Sequence, residues 1–260
     1  MTSLDTARGY GEAEERIGRF LAGPGRPVER PYITTKIPVN TGELEKSVFE
    51  TAGMSLSALG LSKVNCILLH SPVEMASGGK ALAKVMGKLV TAGYADEVGV
   101  SVYLPAEADA MLQYEEYTAI QIPVSLFDQR MINSGAIRRL KERNILIFAR
   151  SVFMQGVLFL DPDGMDEPLL IEHAAPHIRT LRRIAGEAGV GATQLAISFA
   201  RDIEGVASIV LGSETVDQVR ENIRLMEGPP IGDRAMAAVR EAFRDVNCEG
   251  IMTVLRRPKG

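Results

Sequence analysis

Val64-Asn65-Cys66-Ile67-Leu68-Leu69-His70 is a short, almost unbroken apolar run closed by a single imidazole. A run of that length and character is a strand buried on both faces, as in a parallel sheet covered by helices. Comparable segments lie on either side of it, at 32–35, 98–100, 119–122, 145–149 and 208–211. Between them the apolar spacing becomes helical. Leu44, Val48, Ala52, Leu56 and Leu59 form one stripe, and Ile178, Leu181, Ile184, Ala185 and Ala188 form another that Gly189 ends.

Counting residues 1–4 as a further strand gives seven parallel candidates in repeated β-then-α order. A chain of 260 residues suits a (β/α)8 TIM barrel, which typically runs to about 250 residues. The rival is a doubly wound open sheet, but no Gly-x-Gly-x-x-Gly joins a first strand to a first helix. Polar residues recur at strand ends instead: Asp5, Lys36, His70, Ser101, Gln121, Ser151 and Ser213. In a barrel such positions converge on one mouth. No linker, repeat or low-complexity tract divides residues 1–260, which read as a single barrel domain. The turn-rich segment 161–168 is long enough to help cover a site.

With 46% hydrophobic residues the chain can bury a substantial core. Its 29 basic and 33 acidic residues are interspersed and leave a net charge of -4, so no basic face offers itself to nucleic acid or an anionic membrane. The two cysteines, Cys66 and Cys248, make neither a disulfide framework nor a metal-ligand spacing. No run approaches the roughly 18 apolar residues that span a bilayer. The expectation is a cytoplasmic protein without bound metal. His173 and His177 are four apart beside Glu172, yet Pro176 and the order of the residues argue against a metal-binding helix, and they read as loop and helix-start residues.

The chemistry-bearing residues are Asp5, Tyr10, Lys36 and His70. Taken singly, each has an ordinary reading: a cap, a packing residue, a solvated strand end, a satisfied histidine. Brought to one rim, a phenol, an ammonium, a carboxylate and an imidazole can protonate a carbonyl oxygen. A free tyrosine titrates near 10, too high for ready proton exchange at neutrality. An ammonium about 4 Å away at an effective dielectric near 20 favours the phenolate by roughly 4 kcal/mol, and Asp5 would keep that ammonium charged.

The ordered segments resemble the aldo-keto reductase family over nearly the whole chain. They are Leu4-Asp5-Thr6-Ala7-Arg8-Gly9-Tyr10-Gly11-Glu12-Ala13-Glu14, Ile33-Thr34-Thr35-Lys36, Asn65 through Pro72, Val98-Gly99-Val100-Ser101, Ile120-Gln121, Ile147 through Gly156, and Val210-Leu211-Gly212-Ser213 through Ile223. The resemblance implies hydride transfer from a nicotinamide cofactor to an aldehyde or ketone. Tyr10 would be the proton donor, Lys36 and Asp5 its tuning pair, and His70 the group orienting the carbonyl.

It also implies a cofactor, NADP(H) rather than NAD(H). Ser101 and Gln121 would hold the nicotinamide carboxamide. Arg150 stands where many members stack an aromatic ring on the nicotinamide. Ser151, Gly212, Ser213, Gln218, Glu221 and Asn222 would line the pyrophosphate and adenosine, with Ser213 capping the helix that carries Val216, Val219 and Ile223 and aiming free N–H groups at an anion. Val102 replaces a common asparagine. Gly212 and Gln218 replace basic residues, with Arg220 a substitute cation. The implied substrate is a small carbonyl compound, polar and sugar-like. Family members carry a strand, a helix and usually a hairpin ahead of the Leu4 segment, so the resemblance implies a barrel lacking its first strand, less stable and less active than an upstream-extended chain. Two alternatives stand beside the reductase: a cofactor-binding relative with little turnover, and a Schiff-base lyase using Lys36.

Overall fold

Strand and helix alternate through the computed structural model, which describes residues 2–255. The first half runs β1 (Ser3–Asp5), α1 (Ala13–Ala22), β2 (Tyr32–Ile37), α2 (Leu44–Leu59), β3 (Val64–Leu69), α3 (Pro72–Thr91), β4 (Ala95–Ser101), α4 (Pro105–Met111) and β5 (Ala119–Pro123). There follow α5 (Arg130–Asn133), α6 (Ala136–Glu142), β6 (Leu146–Arg150), a 3-10 turn (Met154–Phe159), α7 (Pro168–His173), α8 (Ala175–Glu187) and α9 (Ala192–Arg201). The last elements are β7 (Val206–Ile209), α10 (Val216–Met226), α11 (Asp233–Ala242) and α12 (Cys248–Leu255). This is the repeating order of the (β/α)8 barrel class, with seven strands among the described residues. None of the described helices is long and apolar enough to cross a membrane.

The chain forms two compact units. One comprises Met1–Ile122 with Ala136–Phe148, the other Pro123–Gly135 with Ala149–Gly260. In the first, β1 pairs with β2, β2 with β3, β3 with β4 and β4 with β5, all parallel. Cys66, Ile67, Leu68 and Leu69 of β3 are fully buried. Full burial of a Leu or Ile side chain is worth about 1.5–3 kcal/mol, which is why these four positions are apolar while the polar Asn65, near the start of the strand, is less buried. Gly99 sits opposite Ala119, and a Cβ there would lie 1.6 Å from the Ala119 carbonyl oxygen. The close approach of β4 to β5 therefore requires glycine. Gly18 plays the same part between helices, since a Cβ on it would lie 2.6 Å from the Ala58 carbonyl oxygen at the end of α2.

In the second unit, β6 and β7 are joined by the Val210 N–H, which donates to the Ala149 carbonyl at 2.7 Å. Ser151, Met154 and Gln155 all take positive φ, at 61°, 49° and 53°, in the turn that follows β6. α12 is tied down by the Cys248 thiol, which donates to the Phe127 carbonyl at 2.8 Å. Arg130 adds a bidentate grip on Asp128 and a bond to Glu249.

Several boundaries differ from the periodicity. β7 spans Val206–Ile209 rather than 208–211, because the turn at Gly205, with φ 96°, delivers the chain straight into the strand. β2 runs on to Ile37, which places Lys36 inside the strand rather than at its end. β1 begins at Ser3; Met1 lies outside the described residues. The 161–168 segment is pinned to α8, with Arg179 donating to the Pro162 carbonyl and Asp163, and Arg182 to the Leu160 carbonyl. His173 and His177 are both helical, at the end of α7 and in the first turn of α8.

Candidate active site

Asp5 ends β1 and Lys36 is the penultimate residue of β2, so parallel pairing of these strands sets the two side chains side by side. The Lys36 ammonium donates to Asp5 Oδ2 at 2.5 Å and to the Thr6 carbonyl at 2.9 Å. Its side chain is only 2% exposed. A buried ammonium is tolerated when it is paired and its protons are taken up. The second oxygen of Asp5 accepts from the Gln121 amide at 2.8 Å. The carboxylate is thus held from two strands at once.

Tyr10 hangs over this pair from the β1–α1 loop. The Lys36 nitrogen is 5.3 Å from its ring centroid, within cation–π range. The His70 ring lies 5.5 Å away, edge-on at 80°. The phenol side chain is half exposed, in contrast to the buried ammonium beneath it. The structure therefore brings together the carboxylate, phenol, ammonium and imidazole that the sequence scatters over 66 positions, from 5 to 70.

Two carboxylates outside the expected set hold the loops around this quartet. Glu74, in the first turn of α3, accepts the Val39 N–H on one oxygen and the Ser71 N–H on the other, both at 3.1 Å. It thereby joins the segment after β2 to the residue following His70. Burial raises its pKa, and the two N–H donors partly offset the rise. Glu14, in α1, is 1% exposed and bridges Arg8 to Thr35. Glu14 and Gly18 share the buried face of α1 at i, i+4 spacing, and a buried charge demands a partner, but in the sequence alone an acid in the first turn of a helix has an ordinary explanation.

Ser101 and Gln121 end up buried and directly opposite one another in the β4–β5 register. The Val102 N–H donates to the Gln121 carbonyl at 2.9 Å.

The remaining expected positions lie in the second unit. Arg150 donates to the Ser151 hydroxyl at 3.1 Å. The helix cap is not Ser213. Thr215 caps α10, its hydroxyl accepting the Gln218 N–H, because Thr215 is the residue that immediately precedes the first helical turn. Ser213, two residues further out, accepts from Asn222 at 3.0 Å. The Gln218 side chain turns back to accept the Glu214 N–H at 2.7 Å. Glu221 is paired with Arg224, which holds its carboxyl below the usual range, and Arg220 with Asp217. A side chain at Gly212 would meet open space. Among the described residues no group of three or more His, Cys, Asp or Glu side chains is set to hold a metal ion.

Residues 1–244 match the aldo/keto reductase family. The chain belongs to that family. Among curated relatives it is similar to the L-glyceraldehyde 3-phosphate reductase of Escherichia coli O157:H7, at 23% identity over 94% of this chain and 80% of that protein. Among solved structures it resembles the holo form of an aldo-keto reductase from Bacillus halodurans, at 19% identity and a TM-score of 0.76, covering 93% of this chain and 82% of the other. An aldo/keto reductase from Klebsiella pneumoniae, solved in complex with NADP and acetate, aligns with a TM-score of 0.71 at 17% identity, over 95% of this chain and 82% of its own. At these identities the two solved structures establish the barrel fold of this aldo/keto reductase family member and nothing finer.

Proposed function

We propose that this protein reduces a small aldehyde or ketone at the expense of NADPH, with Tyr10 giving the proton to the carbonyl oxygen. The observation that carries the reading is the Lys36 ammonium, 5.3 Å from the Tyr10 ring centroid while bonded to Asp5 at 2.5 Å. As negative charge grows on the substrate oxygen, the phenol hydroxyl donates to it and then releases its proton. The phenolate left behind faces a fixed ammonium, a preorganised stabilisation that needs no reorientation during the step. Asp5, held by Gln121 on its other oxygen, keeps the ammonium charged and in place. His70, edge-on to the phenol, donates a ring N–H to the carbonyl oxygen and fixes its angle of approach. The half-exposed Tyr10 recovers its proton from water.

The cofactor, when bound, supplies the hydride. The donors fit it: a hydroxyl at Ser101 and the carbonyl oxygen of the Gln121 side chain suit a carboxamide, which both donates and accepts. Ser151, Ser213 and Asn222, with the N-terminal turn of the 11-residue α10, suit phosphate oxygens. Arg220 and Arg224 are the cations nearest in sequence for a 2′-phosphate, and the relative from Klebsiella solved with NADP supports a nicotinamide cofactor. The relative that acts on L-glyceraldehyde 3-phosphate supports a sugar-like substrate.

A lyase reading is disfavoured by the same ion pair, since an amine 2% exposed and bonded to a carboxylate is a poor nucleophile. The test is NADPH oxidation by the purified protein over a panel of short aldehydes, hydroxyketones and sugar aldehydes. Turnover is expected, and Tyr10→Phe should lower it by about 10²–10⁴-fold while leaving stability within about 0.5 kcal/mol. Absence of turnover across the panel, or a Tyr10→Phe variant as active as the parent, would overturn the reading.

A further inference from the structure

The side chain of Tyr10 is half exposed and meets the His70 ring and the Lys36 ammonium on its inner side, while its backbone is held within the β1–α1 loop. That loop is closed at three points. The Arg8 N–H donates to the Lys36 carbonyl at 2.9 Å, the Tyr10 N–H donates to the Ala7 carbonyl at 3.0 Å, and the Ala13 N–H returns to the Tyr10 carbonyl at 3.1 Å. These bonds define a turn, yet none of them fixes it to a neighbouring element other than β2.

Glu14 supplies the missing brace. Its carboxylate is 1% exposed, and neither oxygen is idle: Oε2 accepts from the Arg8 guanidinium at 2.7 Å and Oε1 from the Thr35 hydroxyl at 2.6 Å. Arg8 stands two residues before Tyr10, and Thr35 immediately precedes Lys36. One buried carboxylate therefore clamps the loop that carries the phenol to the strand that carries the ammonium. Glu15 reaches the same Arg8 nitrogen only at 3.5 Å, so Glu14 is the dominant partner. Resting on the reading that Tyr10 is the proton donor, we propose that Glu14 is a positioning residue, which through Arg8 and Thr35 holds the Tyr10 ring over the Lys36 ammonium.

A carboxylate is suited to this, because its two oxygens accept from a guanidinium and a hydroxyl at once and its charge is paired with Arg8. In Glu14→Gln the amide reaches both partners only with its oxygen on Arg8 and its nitrogen on a Thr35 hydroxyl that has turned to accept, and the ion pair that gives the clamp its strength is lost. The charges that face the phenol, Lys36 and its partner Asp5 together with the His70 ring, are left in place by that change. Glu14→Gln does remove the charge opposite Arg8, so Thr35→Val, which changes no charge, separates a change in Tyr10's position from a change in the field around it.

The measurement is the ultraviolet titration of the Tyr10 phenol, obtained as the difference between each protein and its own Tyr10→Phe version, alongside steady-state carbonyl reduction. In Glu14→Gln the Tyr10 titration is expected to move toward the ordinary value near 10. kcat should fall by about 10²-fold, the scale of a 1 Å misplacement, with KM for the carbonyl little changed. Thr35→Val, which keeps the side-chain shape and removes the hydroxyl, should shift both in the same direction by less, and it decides the matter if Glu14→Gln does not fold. Rescue of the titration by Glu14→Asp would support the clamp further. An unmoved Tyr10 titration with unchanged kcat in folded Glu14→Gln or Thr35→Val would overturn the proposal. A parent protein that reduces no carbonyl, but whose Tyr10 titration still moves on Glu14→Gln, would overturn the reductase reading and leave the positioning role standing.

Discussion

The ends of β1, β2 and β5 and the first turns of α10 were both expected to carry function, yet they are built on opposite principles. Near the strand ends, Asp5, the last residue of β1, is brought together with Lys36 and Gln121, which lie inside β2 and β5, largely removed from water, and every oxygen of the carboxylate is held. In and just before α10, Ser213, Gln218, Glu221 and Arg224 are exposed and Asn222 is partly so, and they bond to residues three to nine positions away in the chain. The first arrangement is fixed before any ligand arrives. The second is cheap to rearrange and is suited to groups that adapt to a bound anion. Chemistry that depends on a few tenths of an ångström belongs on the former, and affinity on the latter.

If that contrast is real, a change at the strand ends must damage folding and turnover together. Lys36→Met is the severest case. It removes the ammonium but leaves the Asp5 carboxylate in the sheet with only Gln121 as donor, and breaking a buried pair from one side costs about 3–5 kcal/mol. Urea denaturation should show a loss of that order, and NADPH oxidation should be abolished. A variant as stable as the parent would mean that the pair is hydrated and that the strand ends are no more rigid than α10.

The strand ends were also the part most legible in sequence, for a physical reason. A buried parallel strand must be apolar, so the first polar residue after each run marks where it reaches the barrel mouth, and Asp5, His70, Ser101 and Gln121 stand out by that rule alone. What the pattern could not give was the set of partners. Gln121 as a donor to Asp5 is a contact across 116 positions, and nothing local predicts it. Glu74 and Glu14 were hidden for another reason, since an acid in the first turn of a helix has an ordinary explanation in the helix dipole. The cap of α10 is Thr215 and not the expected Ser213, because the two are chemically equivalent candidates and only the backbone entering the helix distinguishes them. The start of β7 failed for want of apolar contrast, as Val206-Ala207-Ser208-Ile209 follows a glycine turn rather than a polar boundary.

Acid sharpens the comparison by acting on the second unit through a group the first does not use. His177 packs its ring against Phe127 and Phe243, and burial lowers its pKa, with nearby His173 lowering it further. A histidine with a folded pKa below its unfolded value near 6.5 binds its proton more readily in the unfolded chain. Its contribution to stability is therefore present above the unfolded value and is lost as pH falls through the folded one. Corrected for the intrinsic slowing of amide exchange at lower pH, hydrogen exchange of peptides from α8 and α11 should accelerate between pH 7.5 and 5.5 more than exchange of β2 and β3. His177→Phe should remove most of that difference. Uniform acceleration in both units, unchanged in His177→Phe, would assign the acid response elsewhere.

The gentlest perturbation probes the exposed side of the contrast. Ser213→Ala deletes one hydroxyl that accepts from Asn222 on the protein surface. Surface changes of this kind usually stay within about 0.5 kcal/mol, so the melting temperature should hardly move. One hydrogen bond is worth about 0.5–1.5 kcal/mol net, which sets the expected weakening of NADPH binding at roughly twofold to tenfold, read by quenching of cofactor fluorescence. kcat at saturating cofactor should stay at the parent value, because the partner of this hydroxyl is Asn222, on α10 itself. A fall in kcat without a change in affinity would show that α10 is coupled to the chemistry and not only to binding. That would erase the division of labour between a rigid strand-end network and an adaptable helix turn.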